Sequence, residues 1–275
     1  MNSHLDHSIM LTVEGIGFWA GGLPDWDAAR AFVIDGTLPT NAPAKPAPQL
    51  LAPNERRRAP ESVALALDVA QAACAMAGRD PRTLASVFAS THGDLAVTDY
   101  ICDTLAGAPD TLSPTKFHNS VHNAAAGYWT IGTGCMAATT AISAYDCSFA
   151  QGLLEAAAQS RESGGPVLLV AYDSQSTGAL TEISRSEGLL AAALVLNADL
   201  VEHDVDGDGP RKLRLSLRAD AAHIANGALH ARYAGNAMAP MLPLLEALAN
   251  ARASSIALRA SPRQSLRVEV SEMDG

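Results

Sequence analysis

The heptapeptide PVLLVAY, residues 166–172, is the clearest strand signal in this 275-residue chain. It is short, continuously apolar and partly β-branched, as is typical of a strand buried on both faces of a sheet. A helical pattern at residues 148–160 comes just before it. Because such helices alternate with buried strands along the chain, we expect an α/β fold with a largely parallel sheet covered on both faces.

The rest of the chain continues this alternation. Residues 36–60 are rich in Pro, Ala and Asn and are expected to be irregular, and the Asp-Gly repeat at 206–209 predicts a turn. Abundant alanine and few aromatic residues favour helices that pack closely on a sheet. The other predicted strands are residues 9–18, 85–90, 139–144, 189–196, 212–217 and 266–270, and the other predicted helices are 60–77, 97–106 and 241–253.

Composition excludes several classes of function. The formal charge is −10 and the basic residues form no long stripe, which argues against nucleic-acid binding. No apolar run is long enough to cross a bilayer and the first residues lack a signal-peptide pattern, so we expect a cytoplasmic protein without a membrane span. The four cysteines lie far apart, and the alternating acids at 204–208 lack the distal Glu of a calcium loop. We therefore expect no disulfide, metal or cofactor.

One segment, SPTKFHNSVHNAAAG at residues 113–127, combines Pro, two His, two Asn and a run of small residues. Here the sequence resembles the β-ketoacyl synthase family of the thiolase-like fold, in which S-P-x-x-F leads into an Asn-x-x-x-Gly turn, a helix and the strand bearing the nucleophile. Arg56–Arg58, the THGD stretch at 91–94 and Glu187-Gly188 follow the family's order over about residues 50–200.

The chain most resembles a short branch of this family, the ketosynthase-like chain length factors found beside aryl polyene pigment pathways. The stretches that carry this resemblance are STHGD at 90–94, SVHNAAAG at 120–127 and SFAQGLLEA at 148–156. It implies one reduced thiolase-like domain over residues 1–275. Its N-terminal half, about 1–200, is expected to be nearly complete, and its C-terminal half, about 201–275, to be truncated.

The sequence departs from the family where catalysis needs particular residues. Decarboxylative condensation uses a cysteine at a helix N-terminus, where the helix dipole favours thiolate. Counting without gaps from Asn123, the family's cysteine position falls on Asp146, and Cys147 follows it. A shift of one residue would turn the thiol away from the pocket, and the carboxylate of Asp146 would raise its pKa.

In active members of the family the two catalytic His come from a C-terminal half that carries H-G-T-G-T and a G-F-G-G-x-N-like loop. Neither motif occurs here, and the last third of the chain contains only His223 and His230. We therefore assign no catalytic residue and expect no activity from the chain alone.

By resemblance, the chain pairs with an active β-ketoacyl synthase as a heterodimer or a dimer of heterodimers, and shapes the tunnel for an acyl chain delivered by acyl carrier protein. Strand 139–144 would align with its counterpart across the dimer axis. Two alternatives stay open: an acyl-transferring enzyme that uses Cys147, and a subunit that only stabilises the ketosynthase. The candidate pocket or interface residues are His92, His122, Asn123, Thr139, Tyr145, Asp146 and Cys147.

Several of these residues also have a purely structural interpretation. Gly93 would permit a tight turn beside His92, and Asp94 would cap the next helix. His122 and Asn123 would cap the following helix or fix their loop through bonds to backbone. Arg56–Arg58 would be a solvated surface, or else a contact for the partner or an acidic carrier protein.

Overall fold

The structure is a computed structural model that describes residues 8–198, 211–220, 227–250 and 252–272. The predicted turn at 206–209, the alternating acids at 204–208 and His223 lie outside the described residues.

Eight strands in the described part of the chain form a single sheet. They are β1 Ser8–Ala20, β2 Ala85–Ala89, β3 Thr139–Ile142, β4 Val167–Asp173, β5 Leu190–Asn197, β6 Lys212–Arg218, β7 Ser254–Ser261 and β8 Gln264–Val270. Their order across the sheet is β3-β2-β4-β5-β1-β6-β8-β7. The strand β7 was not predicted.

The expectation of a largely parallel sheet is wrong. Of the strands in the described residues, only β2 pairs in parallel, with β3 on one side and β4 on the other. The strands β5, β1, β6, β8 and β7 each run antiparallel to their neighbours. Parallel neighbours need a long crossover, normally a helix, whereas β4 and β5 are joined by a loop whose regular structure is the 3₁₀ turn Gly178–Glu182.

Helices cover both faces of the sheet, as predicted. The helices in the described residues are α1 Trp26–Asp35, α2 Pro53–Arg56, α3 Glu61–Ala77, α4 Leu95–Gly107, α5 Pro114–His118, α6 Ala124–Thr133, α7 Ser148–Ser163, α8 Ala228–Tyr233 and α9 Leu242–Ala249. One apolar core joins the sheet to α1, α7 and α9, and the other joins it to α3 and α6.

Two helical predictions need correction. The helix predicted at 241–253 ends at Ala249, because Asn250 adopts an extended backbone with ψ of 142°. The sequence pattern also missed α1, which Asp25 caps by accepting the amide N–H of Ala28. It missed the short helices α5 and α8 as well, and α2, which lies within the stretch 36–60 that was expected to be irregular.

The packing of α3 on β1 is close enough to require glycine. A Cβ atom on Gly17 would lie 2.0 Å from the carbonyl oxygen of Val69, and one on Gly15 would lie 2.3 Å from that of Ala73. Real side chains do not approach a backbone oxygen so closely, so these positions admit only glycine unless the helix moves. This contact confirms the close helix–sheet packing expected from the composition.

Candidate functional site

An elbow of the chain connects β3 to α7. The strand ends at Ile142, two residues before the predicted end, and a 3₁₀ turn, Tyr145–Cys147, leads into the helix. Tyr145 has φ of 53°, a left-handed conformation that residues with side chains seldom adopt. The Ser148 hydroxyl closes the turn by donating to the Tyr145 carbonyl at 2.6 Å. The phenol of Tyr145 therefore stands at the tip of the elbow, 58% exposed.

The thiol of Cys147 lies beneath this tip and is 6% exposed. Burial and the neighbouring carboxylate of Asp146 raise its pKa to about 11, and the Arg259 guanidinium, which pairs with Asp146, opposes this only in part. The predicted effect of Asp146 is thus confirmed. Although Cys147 sits at the start of α7, where the helix dipole favours an anion, burial and Asp146 outweigh that effect.

The loop that follows β2 packs against the elbow. Gly93 has φ of 70°, and Asp94 caps α4 by accepting the amide N–H of Val97 at 2.9 Å, as expected. The ring of His92 meets that of Tyr145 edge-on at a centroid distance of 6.4 Å. Burial and the nearby His122 lower the pKa of His92, and the charge of Asp173 works in the opposite direction.

Asp173, the last residue of β4, is central to this region, and sequence analysis missed it. Its side chain is fully buried and accepts hydrogen bonds from the Ser90 hydroxyl at 2.7 Å and the Thr91 amide at 3.1 Å. Burial raises the pKa of Asp173 in spite of these bonds. The one signal in the sequence that could have pointed to Asp173 was an acidic residue directly after an apolar run.

Asn236 is a second residue that sequence analysis missed. Its side-chain amide donates to the carbonyl oxygens of Asp173 at 3.3 Å and Glu187 at 3.0 Å. It therefore ties the C-terminal part of the chain to the end of β4.

His122 and Asn123 differ from each other in role. His122 Nε2 lies 2.9 Å from the carbonyl oxygen of Ser90, which confirms that it fixes its loop to backbone. Asn123 occupies the N-cap position of α6, but its side chain makes no capping hydrogen bond, so that part of the expectation is wrong. It lines a cleft of about 360 Å³ beside α6 instead, together with Val121 and Ile131.

Among the described residues, no strand pairs with the outer edge of β3, and the surroundings of this edge are apolar. Thr139 and Ala141 are exposed, and the Thr139 hydroxyl accepts from that of Ser86 at 2.9 Å. The helix α6 carries no charged residue, and one side of it lies in the core. We call the edge of β3 and four exposed side chains around it the β3 face; these are Ile131, at 83% exposure, Met136, at 95%, Tyr145 and Ile183.

The structure thus brings His92, His122, Tyr145, Asp146 and Cys147 together around the elbow, and places Thr139 on the adjoining strand. Of the predicted basic run, Arg57 and Arg58 are exposed. Among the described residues, no helix is long and apolar enough to cross a membrane. The same residues contain no cluster of three His, Cys, Asp or Glu side chains suited to a metal ion.

A mixed sheet between two helical layers, with a strand–elbow–helix turn at one edge, places this protein among the α/β proteins of ketosynthase-like architecture. Residues 26–261 match the family model described as the N-terminal domain of β-ketoacyl synthases. The match covers most of the chain, and the chain belongs to this family. Among proteins of curated function, no match was found.

Solved structures share the fold at low sequence identity. One is a chain of the ketosynthase ApeO in complex with its chain length factor ApeC from Xenorhabdus doucetiae. It has 20% identity and a TM-score of 0.70, with 95% of this chain and 99% of that chain covered. The ishigamide ketosynthase/chain length factor has 14% identity and a TM-score of 0.71, with coverage of 96% and 100%.

A third structure is AntDE:AntF, described as a type II PKS acyl-carrier protein in complex with its ketosynthase bound to the hexaketide. It has 13% identity and a TM-score of 0.71, with 96% of this chain and 99% of that chain covered. Together these likenesses confirm the predicted reduced thiolase-like fold.

Proposed function

We propose that this chain is a non-catalytic subunit of the chain-length-factor kind, which pairs with an active β-ketoacyl synthase and shapes its acyl tunnel. The elbow is the observation that carries the proposal. An exposed phenol stands at its tip, and the nearby thiol of Cys147 is buried and has a pKa of about 11. A condensing enzyme needs the reverse, an accessible thiolate.

The edge of β3 supports a partner. The carbonyl oxygen of Ala138 accepts from the Ser86 amide of β2 at 3.0 Å, and that of Ile142 accepts at 3.1 Å from the Ser90 amide, directly after β2. By alternation, the N–H and C=O groups of Thr139 and Ala141 therefore point outward. Unpaired edges of this kind are usually covered or paired. A partner strand would satisfy these groups and bury the apolar side chains of the β3 face. One of the similar solved structures is described as a ketosynthase in complex with its chain length factor, and another as a ketosynthase/chain length factor.

In this proposal the acyl chain arrives on acyl carrier protein, and the product is of the aryl polyene type. The complex is a heterodimer or a dimer of heterodimers in the cytoplasm. The similar structure described as an acyl-carrier protein in complex with its ketosynthase supports the carrier as a partner. The exposed Arg57 and Arg58 would offer an acidic carrier protein two positive charges.

The test is co-expression with a ketosynthase, followed by loading with acyl carrier protein thioesters and peptide-level mass spectrometry. We expect the two chains to co-purify and acyl groups to appear on the ketosynthase cysteine alone. Acylation of Cys147 in a substantial fraction of molecules would instead support an acyl-transferring enzyme and overturn the proposal.

A second measurement separates a tunnel-shaping subunit from one that only stabilises its partner. Tyr145→Ala removes the phenol at the tip of the elbow, so we expect longer products from an intact complex. Leu38→Ala, an exposed apolar site on the chain after α1, is the control and should change nothing. An unchanged product profile in Tyr145→Ala would favour the purely stabilising role.

A further inference from the structure

The end of β4 holds a carboxylate in a place where charge is costly. Asp173 is 0% exposed, and burying an ionised carboxylate is unfavourable unless hydrogen bonds replace its water. Here the replacements are neutral donors on one short loop: the hydroxyl of Ser90, the amide of Thr91, and the amide of His92 at 3.4 Å. The carboxylate therefore accepts hydrogen bonds from three consecutive residues of that loop.

The same loop touches the elbow at several points. The Ser143 hydroxyl donates to the carbonyl oxygen of Thr91 at 3.0 Å, and the Thr91 hydroxyl lies 3.5 Å from the carbonyl oxygen of Tyr145. The ring of His92 packs against the ring of Tyr145. A displacement of the loop would thus move the backbone at the tip of the elbow and remove the ring contact of Tyr145, whose hydroxyl also donates to the carbonyl oxygen of Ile183 at 3.2 Å.

The loop is also the link to α6. His122, two residues before the helix, holds the carbonyl oxygen of Ser90, and the Ser90 hydroxyl accepts the amide of Gly93 at 2.8 Å. Ser90 is therefore bonded to Asp173, to the loop itself and to the segment leading into α6. One buried carboxylate anchors both segments that flank the elbow on the β3 face.

We propose that Asp173 is a positioning residue that holds the 90–93 loop against the elbow and so sets where Tyr145 stands on the β3 face. It does not contact the acyl chain or the partner; it acts through Thr91 and His92. That Tyr145 borders an acyl tunnel rests on the proposed function, whereas its attachment to Asp173 does not.

The experiment uses Asp173→Asn in the full-length chain, co-purified with the ketosynthase. An amide keeps the shape, but the Thr91 amide N–H lies 3.1 Å from both carboxylate oxygens. In either orientation the NH2 group of an Asn side chain would therefore face this N–H donor, which opposes the present position of the loop. Asp103→Asn, an exposed carboxylate on α4, is the matched control. Ser90→Ala removes one of the three donors and tests the same link if Asp173→Asn does not fold.

Two readouts separate positioning from general stability. The first is the NMR signal of the His92 ring, which carries a ring-current shift from Tyr145; Tyr145→Leu identifies that shift by abolishing it. The second is the product-length profile of the complex. We expect Asp173→Asn to lose most of the shift and to change the profile in the direction of Tyr145→Ala, while Asp103→Asn changes neither.

If a folded Asp173→Asn complex keeps both the His92 shift and the wild-type profile, the positioning role is wrong. If it loses the shift, and neither it nor Tyr145→Ala alters the products, the positioning role stands and the tunnel-shaping function fails. The two proposals can therefore fail separately.

Discussion

The protonation state of Cys147 gives the sharpest test of a non-catalytic elbow. Its pKa is raised from 9.0 to about 11, first by burial and then by Asp146. At pH 8 an ordinary thiol is about 10% thiolate, and a thiol with a pKa near 11 is about 0.1%. Because thiolate is the reacting species, alkylation of Cys147 should be about a hundredfold slower than that of an unperturbed thiol, before any steric effect of its burial.

The assay is a timed reaction with iodoacetamide at pH 8, read by peptide mass spectrometry. Cys102 is exposed and serves as an internal reference in the same molecule, whereas Cys74, with a pKa of about 12, should react more slowly still. If Cys147 reacted as fast as Cys102, its thiol would be neither shielded nor held protonated, and a non-catalytic elbow would be refuted.

Two substitutions test the causes of this shift. Asp146→Asn removes the carboxylate but leaves the burial, so we expect alkylation of Cys147 to speed up by severalfold rather than a hundredfold. Arg259→Ala should slow it, since the guanidinium lowers the pKa of Cys147. An unchanged rate in both variants would mean that burial alone determines the reactivity of this thiol.

Three further predictions concern packing, the β3 face and pH. Gly17→Ala should lower the free energy of unfolding, measured in urea, by about 3 kcal/mol, because its Cβ would lie 2.0 Å from the carbonyl oxygen of Val69. The control is Gly21→Ala, whose Cβ would meet nothing within 4 Å and which should change this free energy by less than about 0.5 kcal/mol. Equal losses in the two variants would contradict the close approach of α3 to β1. Ile131→Asp should leave the unfolding midpoint unchanged and should weaken binding to the ketosynthase by about tenfold or more, as measured by calorimetry. An unchanged affinity would mean that α6 is not part of the interface. Because the folded chain holds the proton of Asp173 more tightly than the unfolded chain, this group stabilises most below its ordinary pKa of 3.8 and loses that contribution as pH rises through the raised value. Wild type should therefore gain stability relative to Asp173→Asn as pH falls from 7 to about 4 in urea titrations, and a constant difference would refute the raised pKa.

The positions of the helices and strands were mostly predictable because each depends on local patterns. The apolar run at 166–172 became β4, and Gly78 ends α3 with a left-handed φ of 62°. The missed elements have weaker patterns. The strand β7 has only two buried residues, Leu258 and Ala260, near its end, and α1 is a short surface helix with two buried residues.

The candidate site was predictable only where a residue carries its own chemistry. His92, His122, Tyr145 and Cys147 were singled out by residue type and motif, and the structure does place them around one elbow. Asp173 and Asn236 were missed because their importance lies in contacts with residues 82 and 63 positions away along the chain. No local pattern reports such contacts.

The sequence by itself determined the family, the α/β class and the absence of a cysteine at the expected position. These follow from local composition and from the order of the motifs, both of which can be read from the sequence without knowing how the chain packs. Only the tertiary structure decided the direction of the strands, the open edge at β3, the burial of Cys147 and the role of Asp173. Each of these depends on which distant segments become neighbours, and burial and hydrogen bonding exist only once the chain has folded.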